Sequence, residues 1–544
     1  MTKSIDDPNP GITTYDDIST FDQEAICREI KRGASRRDVM AWLMASGATI
    51  ASAGAIFSGA AEAVAATPKK GGTMRYAGNL HGPSDTLDPI AFTSGIDYLR
   101  GRIIYNSLIR LNENMEPVPE LAESFEASDD VTEWTFKLRK DVRFHDGSKF
   151  TADDVMYTMS RHMGEDSASN AKSYLTAVKE WVRVDEYTVK CVLNYPNADI
   201  AALMGIYQFK IIKDGTSEFA MPTGTGPFTL EEFKPGVRSV HKRNEDYWAE
   251  PALLDAMEVF AITDGTARLN AVLAGDVHMM VSVDPKTLPQ LEASDRAELM
   301  STPTNQYNGI CCMKDQQPGA NDDFVLGMKH LLNRERVVKS ILKGHGTVGN
   351  DHPISAAYPE HCTDLPIRAY DPDKAKFHFN KSGIDTAEVF VAPVNIGIEE
   401  TVLLMQREAS KVGFNLNVKK VPNDGYWGAI WLKKPVNVVT WLMRPTAHAM
   451  LSVAFAPDAP WNDTRWNNPR MGELLKMSAG ETDPARRKEQ FCEMQTLIHD
   501  EGGWVIPTHN NYMDAKAKVL KGVVKHPIGP TGGYEFPEFA WLDV

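Results

Sequence analysis

The chain has 544 residues, of which 42% are hydrophobic and 24% are charged, a balance typical of soluble globular proteins. This length exceeds what one hydrophobic core normally serves, so we expect two or more lobes. The formal net charge of -15 argues against nucleic acid or an anionic membrane surface as the main partner.

The N-terminal region has the pattern of an export signal. Arg36 and Arg37 precede a run of small and apolar residues that ends in AVAATP at residues 63–68. This arrangement resembles a twin-arginine signal and predicts a periplasmic protein. Residues 39–66 are long enough to span a bilayer, but Ala, Gly and Ser drive insertion weakly. We therefore expect cleavage near residues 63–66, with a retained anchor as the alternative.

Helices and strands alternate along the rest of the chain, which predicts an α/β fold. The first half contains a short strand at residues 73–77, a helix at 96–108 and an alternating strand at 133–139. Thr151, with an acid three residues later, predicts a helix start. Cys311 and Cys312 are neighbours and are predicted to lie in a buried strand. The spacing of the five cysteines after the signal leaves a disulfide open.

The second half has three predicted helices and a strand, at residues 324–342, 372–379, 400–412 and 414–418. The first helix would place Arg334, Glu335 and Arg336 on its polar side. Asp371 precedes a proline at the start of the second helix, as a capping residue does. Gly413 is a suitable stop for the third.

Several short motifs follow one another in an order that is characteristic of one protein family. They are TLDP at residues 86–89, PVPELAES at 117–124, WTFKLR at 134–139, VRFHDG at 142–147, TADDV at 151–155, GTGPF at 224–228, RNEDYW at 243–248, DGTARL at 264–269, YDPDKA at 370–375 and GWVIP at 503–507. They cover nearly all of the chain after the signal. Together they resemble the extracytoplasmic solute-binding proteins of ABC importers, family 5, the dipeptide, oligopeptide and nickel group.

The resemblance implies a two-lobed α/β periplasmic-binding-protein fold of type II, in the large cluster with an extra subdomain. Lobe I would take residues 67–301, with the subdomain at about 101–222, lobe II residues 302–507, and residues 508–544 would return to lobe I. The implied protein is a monomer without enzymatic activity or cofactor. It would capture a peptide or another carboxylate-bearing, amino-acid-derived solute and deliver it to an ABC permease with its ATPase subunits.

The run TWLMRPT at residues 440–446 is the strongest candidate for the ligand site. It contains Trp441, Arg444 and Thr446, and an arginine at a strand end can hold a ligand carboxylate through two charge-assisted bonds. The alternative is an arginine paired with a protein carboxylate. In peptide-binding relatives the corresponding turn has an acidic residue. Glu399 and its neighbour Glu400 stand where a dipeptide binder offers an arginine, although acids in a first helical turn are also ordinary dipole partners.

Aromatic residues in loops and at strand ends are expected to line the cleft, with core packing as the alternative for each ring. These candidates are Tyr307, Trp427, Trp441 and Trp461. Nearby polar candidates are Asn308, Asn462 and Asp463.

Catalytic and phosphate-binding motifs are missing from the sequence, which argues against an enzyme. His345, His352, His361 and Cys362 lack the spacing of a metal site and are expected to be loop residues. Because twin-arginine export often serves proteins that load a cofactor first, a periplasmic metal-chelate or haem-binding protein on the same fold is the alternative function.

Overall fold

The computed structural model describes residues 15, 18, 23, 26, 36–45, 49–65, 68–423, 425–457 and 459–544. It contains two units, one formed by residues 1–70 with Asp543 and the other by residues 71–542 with Val544. Each unit is described by itself below.

The N-terminal unit contains the helices Arg36–Ala45 and Ile50–Ala65, which have a small core of buried apolar side chains. Across the described part of the chain, no helix is both long and apolar enough to cross a membrane. The side chain of Arg37, the side chains of residues 61–65 and the whole of residues 66 and 67 lie outside the described residues, and so the predicted cleavage region at 63–66 cannot be compared with the structure.

The first half of the larger unit is built on a seven-stranded sheet. Its strands, in spatial order, are Ala297–Thr302, Tyr512–Ala517, Met279–Met280, Thr73–Gly78, Ala256–Ala261, Arg238–Arg243 and Phe228–Lys234. The strand Thr73–Gly78, which confirms the prediction at residues 73–77, is parallel to both of its neighbours. Its buried Met74 and Tyr76 belong to the main core of this half.

Helices Gly95–Ile104, Gly265–Ala274 and Leu288–Glu292 accompany this sheet. The helix predicted for residues 96–108 was four residues too long. The backbone is already extended at Tyr105 and enters the short strand Ile109–Leu111, so the helix ends at Ile104.

A separate four-stranded antiparallel sheet follows, with the order Ala122–Ala127, Glu133–Leu138, Thr188–Leu193 and Val178–Asp185. The helix Ala152–Met163 packs on it, and its predicted start at Thr151 is confirmed. The Asp154 carboxylate accepts a hydrogen bond from the Thr151 backbone N–H at 2.7 Å, and the Thr151 hydroxyl accepts one from Asp153 at 3.3 Å. This reciprocal pairing satisfies N–H groups that the first helical turn leaves open.

Shorter elements complete the first half and the C-terminal return. The strand Ile109–Leu111 pairs with Pro117–Pro119, and Leu520–Lys521 pairs with Trp541–Leu542. The single-turn helices are Pro89–Ala91, Lys172–Leu175, Ile200–Leu203, Pro285–Thr287, Pro530–Gly533 and Phe536–Glu538.

The second half is built on a six-stranded sheet with the order Gly346–Val348, Trp504–Asn510, Tyr307–Cys312, Val436–Trp441, Thr386–Val391 and Asn415–Lys420. The strand Tyr307–Cys312 is buried along its whole length. Cys311 faces one core cluster and Cys312 the other, which confirms that this pair lies in a buried strand. Both thiols are free, whereas Cys362 and Cys492 form a disulfide.

The helices of this half are Asp322–His330, Arg334–Arg336, Val337–Ile341, Pro372–Ser382, Ile398–Lys411, Tyr426–Ala429, Ala447–Ala454, Pro469–Ala479 and Pro484–Glu501. The start after Asp371 is confirmed, because its carboxylate accepts a hydrogen bond from Lys374 N at 2.9 Å. Gly413 follows the helix Ile398–Lys411 with a φ of 82°, as a helix stop should.

The single helix predicted for residues 324–342 was wrong. Asn333 starts a new helix because its side chain accepts a hydrogen bond from Arg336 N at 2.8 Å. Arg334, expected on the polar side, is buried and donates two hydrogen bonds of 2.7 Å to the Asp351 carboxylate. The buried ion pair thus interrupts the alternation of apolar and polar faces that one continuous helix would show. Residues Val337–Ile341 then form a π-helix.

The chain passes between the two large sheets at two adjacent places. The first crossing joins Ala297–Thr302 to Tyr307–Cys312, and the second joins Trp504–Asn510 to Tyr512–Ala517. Asn510 donates a backbone hydrogen bond to Gln306 at 2.7 Å, so the two crossings lie side by side. Paired crossings of this kind allow the halves to rotate about a short axis.

Candidate functional site

Arg444 follows the end of the strand Val436–Trp441, and its backbone is fixed by one side chain. The Tyr358 hydroxyl accepts a hydrogen bond from Arg444 N at 3.0 Å and donates one to Arg444 O at 2.6 Å. The guanidinium carbon lies 5.2 Å from the centre of the Trp441 ring, within the range of a cation-π contact. The turn is therefore held by its backbone while the side chain rests on an aromatic face.

The Arg444 guanidinium is not paired with any carboxylate of the described residues. In the described ranges no carboxylate lies within ion-pair distance of Arg444, and its Nε is buried without a hydrogen-bond partner. A buried guanidinium N–H without an acceptor is costly, because desolvation is not compensated. This side chain is consequently suited to bind an external anion.

Phenol groups from both halves of the unit interact electrostatically with Arg444. Burial raises the pKa of Tyr98 to about 12, while the nearby Arg444 charge acts in the opposite direction. The same opposition between burial and Arg444 applies to Tyr512, Tyr307 and Tyr358, whose pKa values are also raised. Since Tyr98 and Tyr512 belong to the seven-stranded half, Arg444 lies between the two halves.

Four tryptophan rings form a continuous row that starts beneath Arg444. The ring centres of Trp441 and Trp461 are 6.1 Å apart, those of Trp461 and Trp431 6.4 Å, and those of Trp431 and Trp427 5.6 Å. Trp441 is buried, whereas Trp427 and Trp461 are exposed. The predicted aromatic candidates Trp427, Trp441 and Trp461 are therefore brought together, and Trp431 joins them.

Asp463 fixes the buried end of this row. Its carboxylate accepts hydrogen bonds from the indole N–H of Trp431 at 2.5 Å, Trp441 at 2.8 Å and Trp504 at 3.3 Å. Burial raises the pKa of Asp463 to about 6, although the three indole bonds favour the ionised form. Asp463 thus positions the ring on which Arg444 rests.

Tyr307 and Thr446 lie beside these residues in different ways. Tyr307 pairs with Trp441 across the sheet, and its hydroxyl is buried without a partner among the residues that the structure describes. The Thr446 hydroxyl accepts a hydrogen bond from Ala449 N at 3.0 Å and thereby caps the helix Ala447–Ala454.

Asn308 and Glu399 are engaged by the protein itself. Asn308 donates to the Ile396 carbonyl at 2.8 Å and accepts from the Asn395 amide at 2.9 Å. Glu399 forms an ion pair with Lys420 at 3.4 Å. Glu400, its neighbour, pairs with Lys286 of the seven-stranded half at 3.2 Å. These contacts account for the three side chains without a ligand.

The sequence analysis missed Tyr98, Tyr358 and Trp431. Trp431 follows Trp427 by four positions, a spacing that could have indicated two rings on one side of a helical turn. Tyr98 and Tyr358 gave no comparable signal, because they reach Arg444 only through the tertiary fold.

Two of the four candidate metal ligands lie near each other, because the ring centres of His352 and His361 are 6.0 Å apart. Cys362 is bonded to Cys492, His345 contacts the Ser301 hydroxyl at 3.0 Å, and His361 contacts the Ile354 carbonyl at 2.9 Å. No group of three or more His, Cys, Asp or Glu side chains within the described residues is arranged to hold a metal ion.

Comparison with known proteins agrees with this architecture. The "Dipeptide-binding protein" of Escherichia coli (strain K12) is 25% identical over 498 residues, which cover 82% of this chain and 91% of that protein. "Heme-binding protein A" of Haemophilus influenzae is 23% identical over 490 residues, covering 81% and 88%.

Among solved structures, the ABC transporter-associated periplasmic binding protein DppA from Helicobacter pylori, in complex with the peptide STSA, is similar in fold. The TM-score is 0.75 at 20% identity, with coverage of 88% of this chain and 99% of the other. This likeness confirms the predicted two-lobed α/β fold. The sequence model of "Bacterial extracellular solute-binding proteins, family 5 Middle" matches residues 116–466. The chain therefore belongs to the bacterial extracellular solute-binding proteins of family 5.

Proposed function

We propose that this protein is the substrate-binding component of an ABC importer. It captures a small carboxylate-bearing solute, a peptide or another amino-acid derivative, between its lobes and delivers it to a membrane permease with ATPase subunits. Membership of family 5 supports the binding role, and the names of the relatives in Escherichia coli and Helicobacter pylori support peptide-like ligands. The protein acts as a monomer and without turnover of its solute.

One observation is central to this proposal: Arg444 lies between the two halves, and no carboxylate in the described part of the chain balances its charge. A planar guanidinium binds a carboxylate through two parallel hydrogen bonds, and exclusion of water strengthens both. The solute carboxylate therefore binds Arg444 above Trp441. Trp427, Trp461, Tyr307 and Thr446 contribute the surrounding wall.

Closure of the lobes follows from where these groups lie. A solute held by Arg444 of the second lobe also meets Tyr98 and Tyr512 of the first, so it stabilises the closed arrangement over the open one. The permease distinguishes loaded from empty protein by this difference in shape.

Export places the protein where this role requires it. The Arg36–Arg37 pair and the apolar run after it direct the chain through the twin-arginine route, with cleavage near residues 63–66. Changing both arginines to lysine is expected to leave the uncleaved protein in the cytoplasm, as checked by cell fractionation.

Mass spectrometry of the solute that co-purifies with the protein tests the proposed ligand class. We expect a small molecule with at least one carboxylate, released on denaturation in a ratio near one to one. A bound haem or metal chelate, seen in the absorption spectrum or by metal analysis, would contradict this class and support the alternative function.

A further inference from the structure

A cavity of about 200 Å³ lies beside Arg444, between the four-stranded sheet and the six-stranded half. We call it the side cavity. Its walls are mainly apolar and include Phe125, Trp134, Ala198, Ala202, Tyr358 and Pro445. The Trp134 indole N–H already donates to the Asn197 carbonyl at 3.0 Å, so this ring presents carbon rather than a polar group.

The side cavity is lined by residues that adjoin Arg444. Pro445 and Thr446, which directly follow Arg444, both line it. Tyr358 also lines it, and the hydroxyl of Tyr358 bonds to the backbone of Arg444. A solute whose carboxylate binds Arg444 is therefore positioned to extend into the side cavity.

A carboxylate with an unused oxygen lies in the wall of the cavity. Asp199 is 9% exposed, and its Oδ1 accepts a hydrogen bond from Arg487 at 2.7 Å. Its Oδ2 is buried and has no hydrogen-bond partner in the part of the chain that the structure describes. A buried acceptor without a donor is unfavourable, so this oxygen is suited to receive a donor from a ligand.

The charges around Asp199 favour a donor over a second anion. Arg487 also pairs with Glu360 at 3.1 Å, so one guanidinium serves two carboxylates and the group keeps one negative charge. His448 lies close to the same group, but burial lowers its pKa and it does not supply the missing positive charge at neutral pH.

We propose that the side cavity binds an apolar group of the transported solute, an aromatic ring or a branched alkyl chain that bears a hydrogen-bond donor for Asp199. This inference rests on the proposed function, because it takes the carboxylate of the same solute to bind Arg444. An apolar cavity of roughly 150 Å³ accepts benzene. The side cavity therefore has room for a substituted ring, and the solute class is an aryl or branched-alkyl carboxylate with a hydroxyl or amino group.

Three probe acids test the inference by NMR titration of the purified protein: propanoate, 3-phenylpropanoate and 3-(4-hydroxyphenyl)propanoate. We expect the phenyl ring to increase affinity at least about tenfold over propanoate, because it removes apolar surface from water. The hydroxyl should increase affinity a further few-fold by donating to Asp199 Oδ2.

The variant Ala198→Leu locates the ring. The added side chain fills part of the side cavity, so we expect the gain from the phenyl ring to disappear while propanoate binds as before. Ala293→Leu, at an exposed position of the seven-stranded half, is the matched control and should keep the gain. Equal melting temperatures of the two variants would exclude misfolding as the cause.

The outcomes separate this inference from the proposed function. Equal affinities of the wild type for propanoate and 3-phenylpropanoate, or an affinity gain from the phenyl ring that persists in Ala198→Leu, would overturn the side-cavity assignment. Neither result would affect the proposed carboxylate role of Arg444. A hydroxyl without effect would overturn the role of Asp199. Failure of all three acids to bind would overturn both the side-cavity assignment and the carboxylate role of Arg444.

Discussion

Asp463 and Arg444 are charged residues of one site with opposite requirements. The Asp463 carboxylate is satisfied by three indole N–H groups from three separate segments, so it needs no ligand. Arg444 lies over one of those rings and forms no ion pair with the residues that the structure describes. A fully bonded carboxylate thus supports the aromatic ring on which the Arg444 guanidinium rests.

We expect Asp463→Asn to lower the free energy of unfolding by about 2 to 4 kcal/mol. Trp431 donates to one carboxylate oxygen and Trp441 and Trp504 to the other, so either orientation of the amide turns its NH2 group towards an indole N–H. Urea denaturation measures the change. Asp315→Asn, at an exposed position, is the control, and equal stability of the two variants would contradict the assigned role.

The same residue predicts a pH dependence. Burial raises the pKa of Asp463 to about 6, whereas an unfolded aspartate titrates near 4. The folded protein therefore binds more protons than the unfolded chain in this window, and the free energy of unfolding falls as pH rises from about 4 to 6. We expect a shallower fall in Asp463→Asn, measured by urea denaturation at each pH. Identical slopes in the variant and the wild type would show that Asp463 does not titrate there.

At the scale of elements, the disulfide joins the loop that carries Cys362 to the helix Pro484–Glu501, across a separation of 130 residues. A cross-link over such a long segment restricts the unfolded chain strongly. We expect the double variant Cys362→Ser with Cys492→Ser to lose about 3 to 5 kcal/mol of stability, measured by urea denaturation without reductant.

Reductant provides the control for this variant. It should lower the melting temperature of the wild type and leave that of the double variant unchanged. A wild type that melts at the same temperature with and without reductant would contradict the assigned disulfide.

Structural features that depend on interactions between neighbouring residues could be predicted from the sequence. The helix starts at Thr151 and Asp371 depend on hydrogen bonds within one turn, so neighbouring residues were sufficient. The break near Asn333 was missed because the burial of Arg334 depends on Asp351 of a distant loop. Helical periodicity describes one segment and contains no information about such a partner.

The same distinction between local and distant causes applies to the residues of the candidate site. Arg444 and Trp441 could be predicted because they belong to one short run at a strand end. Tyr98 and Tyr512 could not, since they come from the two ends of the first lobe and are far from Arg444 in the sequence. Asn308 and Glu399 were predicted to contact the ligand, but in the structure they contact other residues of the protein. The sequence did not identify these partners.

For the whole molecule, the two adjacent crossings and the position of Arg444 between the halves predict closure on binding. Small-angle scattering should give a smaller radius of gyration with the co-purified solute than after its removal. Binding without any change in the radius of gyration would count against lobe closure.

Calorimetric titration of the co-purified solute into Arg444 variants tests the central claim most directly. Arg444→Ala should weaken binding by roughly 2 to 5 kcal/mol, because it leaves the solute anion desolvated and unpaired. Arg444→Lys should recover only part of the loss, since an ammonium cannot reproduce the planar fork. Arg407→Ala, at an exposed position, should bind like the wild type. Wild-type affinity of Arg444→Ala, together with a lower melting temperature, would contradict the account and assign Arg444 a structural role.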